Sequence, residues 1–241
     1  MSTWASDLRV LRQLLLHRTT GSTHQDRLES FYGKQAGDYD GFRSRLLHGR
    51  QPLIEQLDFT DGGVWVDLGC GTGENVTLAG DRAGCLSEVH LVDLSPSLMG
   101  IAKRRDLAGP VVRTHLADAT TFRAIDRPAD LVTFSYSLTM IPDWFAAVDA
   151  AIQLLRPGGR IGVTDFYVSR KHADPPLRQH GWLRRAFWQH WFAADNVFLS
   201  GDHLAMLQRK FKTLHLSEHT GKVPYLPMLR APYYVFIGQL D

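Results

Sequence analysis

The sequence predicts an α/β fold around a mostly parallel, doubly wound sheet, and three observations point there. From Asp61 onward, short runs rich in β-formers alternate with helical patterns. The first of these runs, Val64 to Leu68, passes without a break into Gly69-Cys70-Gly71-Thr72-Gly73. Acidic residues, Asp67, Asp93 and Asp118, stand at the ends of three successive strand-like runs. Such alternation is satisfied by a parallel sheet with helices on both faces.

Taken in order, residues 4–16 place Trp4, Leu8, Leu11 and Leu15 at helical spacing, with Arg9, Arg12 and Arg18 towards the other side. This amphipathic helix either packs on the domain or lies in a membrane interface. Thr19 to Gln25 is a polar link, and a helix carrying Phe42, Arg43, Arg45 and Arg50 follows. The apolar runs predict strands near 63–68, 88–93, 111–116, 130–135 and 160–166, with helices near 74–83, 97–106 and 143–156. Pro157 stops the last of these helices and Gly158-Gly159 turns the chain into the fifth strand. Runs at 211–217 and 233–240 supply two more strands. Residues 1–60 are thus read as an N-terminal helical cap, and 61–241 as one large domain with an insertion near 170–205.

Composition narrows the function. The 241 residues, 44% hydrophobic, suffice for a large α/β core. A net charge of +2 does not imply a nucleic-acid partner. Cys70 and Cys85 form no C-x-x-C pair, and the 11 histidines are scattered without an H-E-x-x-H, so no metal site is expected. With no signal-peptide pattern and no apolar run near eighteen residues, the expected location is the cytoplasm.

The glycine turn allows two readings. Glycines there permit positive φ and let the backbone approach a ligand closely. A dinucleotide fingerprint needs a third glycine at Glu74, where a carboxylate would meet a pyrophosphate, so NAD is disfavoured. The spacing Asp67-x-Gly69-x-Gly71-x-Gly73 instead resembles the S-adenosylmethionine site of Rossmann-like class I methyltransferases. That resemblance implies a seven-stranded sheet whose last strand is antiparallel, and S-adenosylmethionine as cofactor. Asp67 would lie near its cationic amino-acid end and Asp93 would hold the ribose hydroxyls. Leu94 would pack on the purine, and Asp118 and Ala119 would flank the adenine. Tyr39, at the family's Y-D position, would fold over the methionine half.

Chemistry in an open α/β sheet gathers at the carboxyl ends of the strands. Here that edge carries Ser135, Tyr136 and Ser137, then Asp165, Phe166 and Tyr167. Tyr136 is the first candidate to face the transferred methyl, the alternative being that it packs under the cofactor. Asp165 is a candidate proton acceptor, and Tyr32 a second ring for cation–π stabilisation. In the insertion, residues 182, 183, 186, 187 and 191 share a helical face that Trp188 and Phe192 widen. This face either closes over the core or roofs a greasy substrate, with Arg178, Arg184 and Arg185 meeting anionic headgroups.

A narrower resemblance rests on Phe31-Tyr32-Gly33, Tyr39-Asp40 with Phe42-Arg43, Ser135-Tyr136-Ser137-Leu138, Met140-Ile141-Pro142-Asp143-Trp144, and Lys222-Val223-Pro224-Tyr225-Leu226-Pro227 before Pro232-Tyr233-Tyr234. These segments look like those of the bacterial betaine-lipid N-methyltransferases. The resemblance implies threefold methylation of the amine of diacylglyceryl-homoserine, peripheral contact with the membrane, and a separate enzyme that makes the homoserine lipid. Other acceptors stay open, namely phosphatidylethanolamine or a soluble amine or quinone precursor, as does a module that binds cofactor or membrane without turnover.

Overall fold

The computed structural model describes residues 23, 25–26, 45–105, 108–193, 196–224 and 226–241. The helix expected at 4–16 lies outside them. Seven strands, β1 (Val64–Leu68), β2 (Glu88–Asp93), β3 (Val111–Leu116), β4 (Ala129–Ser135), β5 (Leu155–Phe166), β6 (Lys212–Val223) and β7 (Leu226–Gln239), form one sheet. Their order is β3-β2-β1-β4-β5-β7-β6. The first five run parallel, and β7 is antiparallel to both β5 and β6. This is the Rossmann-like seven-stranded sheet expected.

Around it lie α1 (Arg50–Gln56), α2 (Glu74–Ala79), α3 (Pro96–Ala102), α4 (Trp144–Leu154), α5 (Trp182–Ala193) and α6 (His203–Lys210). β1 is buried along its whole length, as a strand covered on both faces should be. Trp65 enters one core with Leu53, Ile54, Val76 and Leu91, while Val64, Val66 and Leu68 enter the other with Val132, Phe134, Val148 and Phe236. The alternation is the two-residue period of a strand splitting its side chains between the faces.

Helix ends depart from the expected ones for local reasons. α2 stops at Ala79, short of 83, because Gly80 takes φ 50° and the chain tightens into a 3₁₀ turn over Gly80–Cys85. α3 begins at Pro96, with the Ser95 side chain accepting the Leu98 N–H at 3.3 Å, and ends at Ala102 rather than 106. α4, capped by Asp143 on the Ala146 N–H, ends at Leu154. Pro157 biases Arg156 away from helix, so Leu155 already pairs with Ala129. Pro157, Gly158 and Gly159 then bulge out before pairing resumes at Leu131 and Arg160. Of the helix placed around Phe42 to Arg50, residues 45–46 are helical and 42–44 lie outside the described residues; the chain then turns and a separate helix runs from Arg50 to Gln56. α6 was not anticipated; it is short, and of its apolar residues Leu204 and Leu207 are buried while Met206 packs partly against the core.

His203, the first residue of α6, is fully buried against Trp144 and Tyr234, and neither ring nitrogen has a hydrogen-bond partner among the described residues. Burial pushes its pKa down to about 4. The unfolded chain takes up this proton near pH 6.5 and the folded protein does not until about pH 4, so stability falls as pH falls through that window. The His203→Leu variant should lose this sensitivity. Urea midpoints at pH 7.5 and 4.5 should show the variant gaining on wild type by up to about 3 kcal/mol at the lower pH. Buried carboxylates common to both proteins cancel in the comparison.

Candidate cofactor and active site

The turn after β1 alternates positive φ at Gly69 (70°), Gly71 (59°) and Gly73 (74°), a conformation only glycine adopts without strain. A side chain at Gly69 would collide with Ser137, and one at Gly73 would press on Arg105 and Leu91. A Cβ at Gly71 would meet nothing within 4 Å, so this is where the bare backbone faces open space. The Gly69 and Cys70 N–H groups bond to Val92 O at 2.8 and 3.0 Å, locking the turn to the end of β2. Arg105 braces its far side, donating to Thr72 O at 3.0 Å and pairing with Glu74 at 2.7 Å. Glu74 is thereby neutralised at the start of α2.

The three acids sit differently. Asp93 is half-buried at the tip of β2; its Oδ2 accepts the Gly71 N–H at 2.8 Å and its Oδ1 the Ser95 N–H at 2.9 Å. Leu94 beside it is also half-buried. Asp118 is exposed just past β3, its Oδ1 taking the Thr120 N–H and hydroxyl at 2.8 Å, with Ala119 buried next to it. Asp67 has no exposure at all. Asn75 Nδ2 donates to both of its oxygens (3.1 and 3.0 Å), and Thr133 Oγ1 donates at 2.6 Å. Burial raises the Asp67 pKa to about 6 against those donors and the Arg50 charge. Asp67 therefore shapes the turn from beneath. Asn75 Oδ1 is buried without a partner among the described residues, an acceptor left over beside the turn.

At the ends of β4 and β5 the chain packs tightly. Ser135 Oγ accepts from Arg50 Nε at 3.1 Å. Tyr136 adopts φ 56° and is buried, its ring 4.7 Å from Phe166. Its hydroxyl accepts the Gly49 N–H at 2.9 Å and is bonded to the Thr164 side chain. A side chain at Gly49 would collide with Thr164, so the missing Cβ is what permits that approach. Burial pushes the Tyr136 phenol well above its ordinary range. This geometry supports the packing reading of Tyr136. Asp165 is fully buried and accepts from Thr139 Oγ1 (2.7 Å), Thr139 N (3.1 Å) and Phe166 N (2.8 Å), with burial raising its pKa to about 7. It clamps the Leu138–Met140 turn to β5.

The structure thus gathers Asp67, Gly69, Gly71, Gly73 and Asp93 around one turn and sets Ser135, Tyr136 and Asp165 along the adjoining strand ends. Tyr32 and Tyr39 lie outside the described residues. Sequence reasoning missed Gly49, Asn75 and Arg105, and took Arg50 only as a helix residue. The Asn75 and Arg105 partners are local enough to be sought, one turn past the glycines and at the end of the next helix. A cavity of about 400 Å³ opens beside them, between α1 and α2, lined among others by His48, Arg50, Gln51, Glu55 and Glu74. Among the described residues no group of three His, Cys, Asp or Glu is placed to hold a metal.

The open space at Gly71, the acceptor at Asp93 and the orphan carbonyl of Asn75 fit a ligand that brings hydroxyl and ammonium donors, as S-adenosylmethionine does. Asp93→Ala should weaken S-adenosylmethionine binding by about tenfold to a hundredfold in calorimetric titration, the loss of hydrogen bonds to a charged acceptor. Tyr136→Phe should lower stability by about 1 to 3 kcal/mol, because the Gly49 N–H is left buried and unpaired, while turnover stays within a few-fold. A fall in kcat of a hundredfold at unchanged stability would instead place the hydroxyl against the transferred methyl.

A family model described as a methyltransferase domain matches residues 39–214. Over 144 residues the chain is 26% identical to the 2-phytyl-1,4-naphtoquinone methyltransferase of Thermosynechococcus vestitus, covering 58% of this chain and 64% of that one. Over 149 residues it is 26% identical to the ubiquinone/menaquinone biosynthesis C-methyltransferase of Hydrogenovibrio crunogenus, covering 58% of each. The chain therefore spans less than two thirds of these curated relatives. Among solved structures, the phospholethanolamine N-methyltransferase 2 of Haemonchus contortus, in complex with phosphomonomethylethanolamine and S-adenosylhomocysteine, superposes with a TM-score of 0.65 at 14% identity. That likeness covers 92% of this chain and 61% of that one, and shows the fold. Strand order, glycine turn and family match agree, and the chain belongs to the methyltransferase domain family as a class I, S-adenosylmethionine-dependent methyltransferase.

Proposed function

We propose that this methyltransferase acts on the amine of a lipid headgroup, with diacylglyceryl-homoserine as acceptor and the trimethylated betaine lipid as product. The observation that supports this reading most is the cluster of rings packed behind the ends of β4 and β5, the edge at which an acceptor would enter. Tyr136 touches Phe166 (4.7 Å), Phe166 touches Phe192 (4.6 Å), Phe192 meets Trp188 (5.6 Å), and Tyr233 joins the same cluster. Rings of this kind tolerate a cation developing on nitrogen, worth about 1 to 2 kcal/mol in a desolvated site. The carboxylate below them, Asp165, is committed to Thr139 and Phe166. A neutral amine brings its own lone pair and asks little of such a base.

When bound, S-adenosylmethionine supplies a sulfonium-activated methyl that leaves sulfur as the nitrogen lone pair forms the new C–N bond. The chain's part is placement. Asp93 and the glycine turn hold the nucleoside end, the β4 and β5 ends and their rings exclude water, and the amine loses its proton to solvent before attack. Holding two reactants in line is worth effective molarities of roughly 10⁵ M or more. The acceptor itself comes from a separate enzyme.

A second reading, methylation of a quinone precursor, is favoured by the names of the curated relatives, which are quinone methyltransferases. Radiolabelled methyl incorporation, run side by side with homoserine lipid, phosphatidylethanolamine and a demethylated quinone, separates the two. Label in the homoserine lipid, with mass gains in successive methyl steps, is the expected result. Label confined to the quinone would sink the lipid-amine reading, and label confined to phosphatidylethanolamine would change the headgroup.

A further inference from the structure

α5 has two apolar sides. Trp188 and Phe192 are buried on one. On the other, Trp182 (70% exposed), Leu183 (66%) and Phe187 (42%) form a stripe turned to solvent, with exposed Ala186 between them. Phe198, pinned to the same edge by its N–H on Thr139 O at 2.8 Å, adds a further exposed ring. From residue 175 to 194 the chain contains no acid, and it carries Arg178, Arg184 and Arg185; Arg184 is exposed, Arg185 is half-buried with its Nε covered, and Glu218 accepts the Arg178 N–H at 2.8 Å.

A second element reaches past the same edge. The last residue of β5 paired to β7 is Phe166, opposite Tyr233, yet β6 and β7 go on pairing beyond it as a hairpin up to Val223 and Leu226, its inner side held by His48 on Lys222 O at 2.9 Å. Met228, five residues before Tyr233, therefore stands roughly 15 Å beyond the end of β5 at about 3.3 Å per residue, and it is 93% exposed. Lys222 and Arg230, both exposed, face each other across this hairpin. Like charges directly opposite on a ladder repel, and neither has an ion pair among the described residues; an anionic surface would offset that cost. Phe192 of α5 lies 4.6 Å from Phe166, the β5 residue paired with Tyr233, so helix and hairpin rise from the same end of the sheet.

We propose that the outward stripe of α5 and the tip of the β6–β7 hairpin together form a docking surface for a bilayer carrying anionic headgroups, with the apolar side chains in the acyl boundary and the cations at headgroup level. Docked this way, the carboxyl edge of the sheet faces the membrane from which a lipid acceptor enters. The purpose of the docking rests on the lipid-amine reading, but its test does not.

The test is co-sedimentation of the full chain with phosphatidylcholine vesicles, with and without phosphatidylglycerol. Wild type should sediment with the anionic vesicles. Trp182→Ser with Phe187→Ser should lose roughly tenfold or more of that binding, since each large side chain contributes more than a tenfold factor when buried. Lys222→Glu with Arg230→Glu should abolish the preference for anionic vesicles. Leu214→Ser, an equally apolar exposed site at the opposite end of the sheet, should bind as wild type. All three variants should keep wild-type S-adenosylmethionine affinity, which confirms that they are folded. Wild type that stays in the supernatant, or helix and hairpin variants that sediment like wild type, would overturn the proposal. So would variants that alter only a monomer–dimer equilibrium in sedimentation velocity, which would assign the face to a second copy. Transfer to homoserine lipid dispersed in detergent micelles reads the acceptor separately: its failure beside intact sedimentation would reject the lipid-amine reading and leave the docking standing.

Discussion

A carboxylate without access to water is what the catalytic end of this protein is built around. Asp67 and Thr133 are register partners in β1 and β4. The Thr133 hydroxyl donates to Asp67 and accepts from the Trp65 indole at 2.8 Å, while Asn75 reaches back from α2 to both carboxylate oxygens. One buried group thus ties two strands, the first turn of a helix and a fully buried tryptophan of the neighbouring core. Such a charge is tolerated only while its donors stay in place, and the donors are tolerated only while it does. The height at which the glycine turn leaves the sheet is fixed by that mutual need.

Much of this was legible because the signals are local. Apolar runs bounded by glycine and aspartate located the first four strands to within a residue, and three glycines at alternate positions announced a turn that only glycine can make. Long-range commitments were not legible. No pattern near Asp67 reveals that its oxygens are spent on Asn75 and Thr133, or that Tyr136 directs its hydroxyl to a backbone N–H 87 residues earlier. Pro157 was seen as a stop, but the strand pairing that begins at Leu155 is a tertiary fact. The two-sided composition of α5 leaves the helical period without a single preferred face, so the sequence alone leaves open which side packs inward.

α5 is also tied by rings to the ends of β4 and β5. Contacts run from Tyr136 through Phe166 and Phe192 to Trp188, so the helix that exposes Trp182 and Phe187 is anchored on the same ring that lies against Tyr136. Its inner side is aromatic and shape-dependent. Its outer side is apolar and largely exposed, with Phe187 edging onto Trp188 and Trp191.

The strand order has a consequence for synthesis. β7 is made after β6, yet it lies between β6 and β5, where it pairs with both. Until it leaves the ribosome, β5 presents an open edge and β6 has no neighbour, although the parallel strands and the glycine turn are already available to assemble. The nascent protein therefore passes through a stage in which an apolar, unpaired strand edge is exposed, the kind of surface that invites edge-to-edge association. Closure of that edge by the final hairpin joins the two halves of the sheet in a single late step.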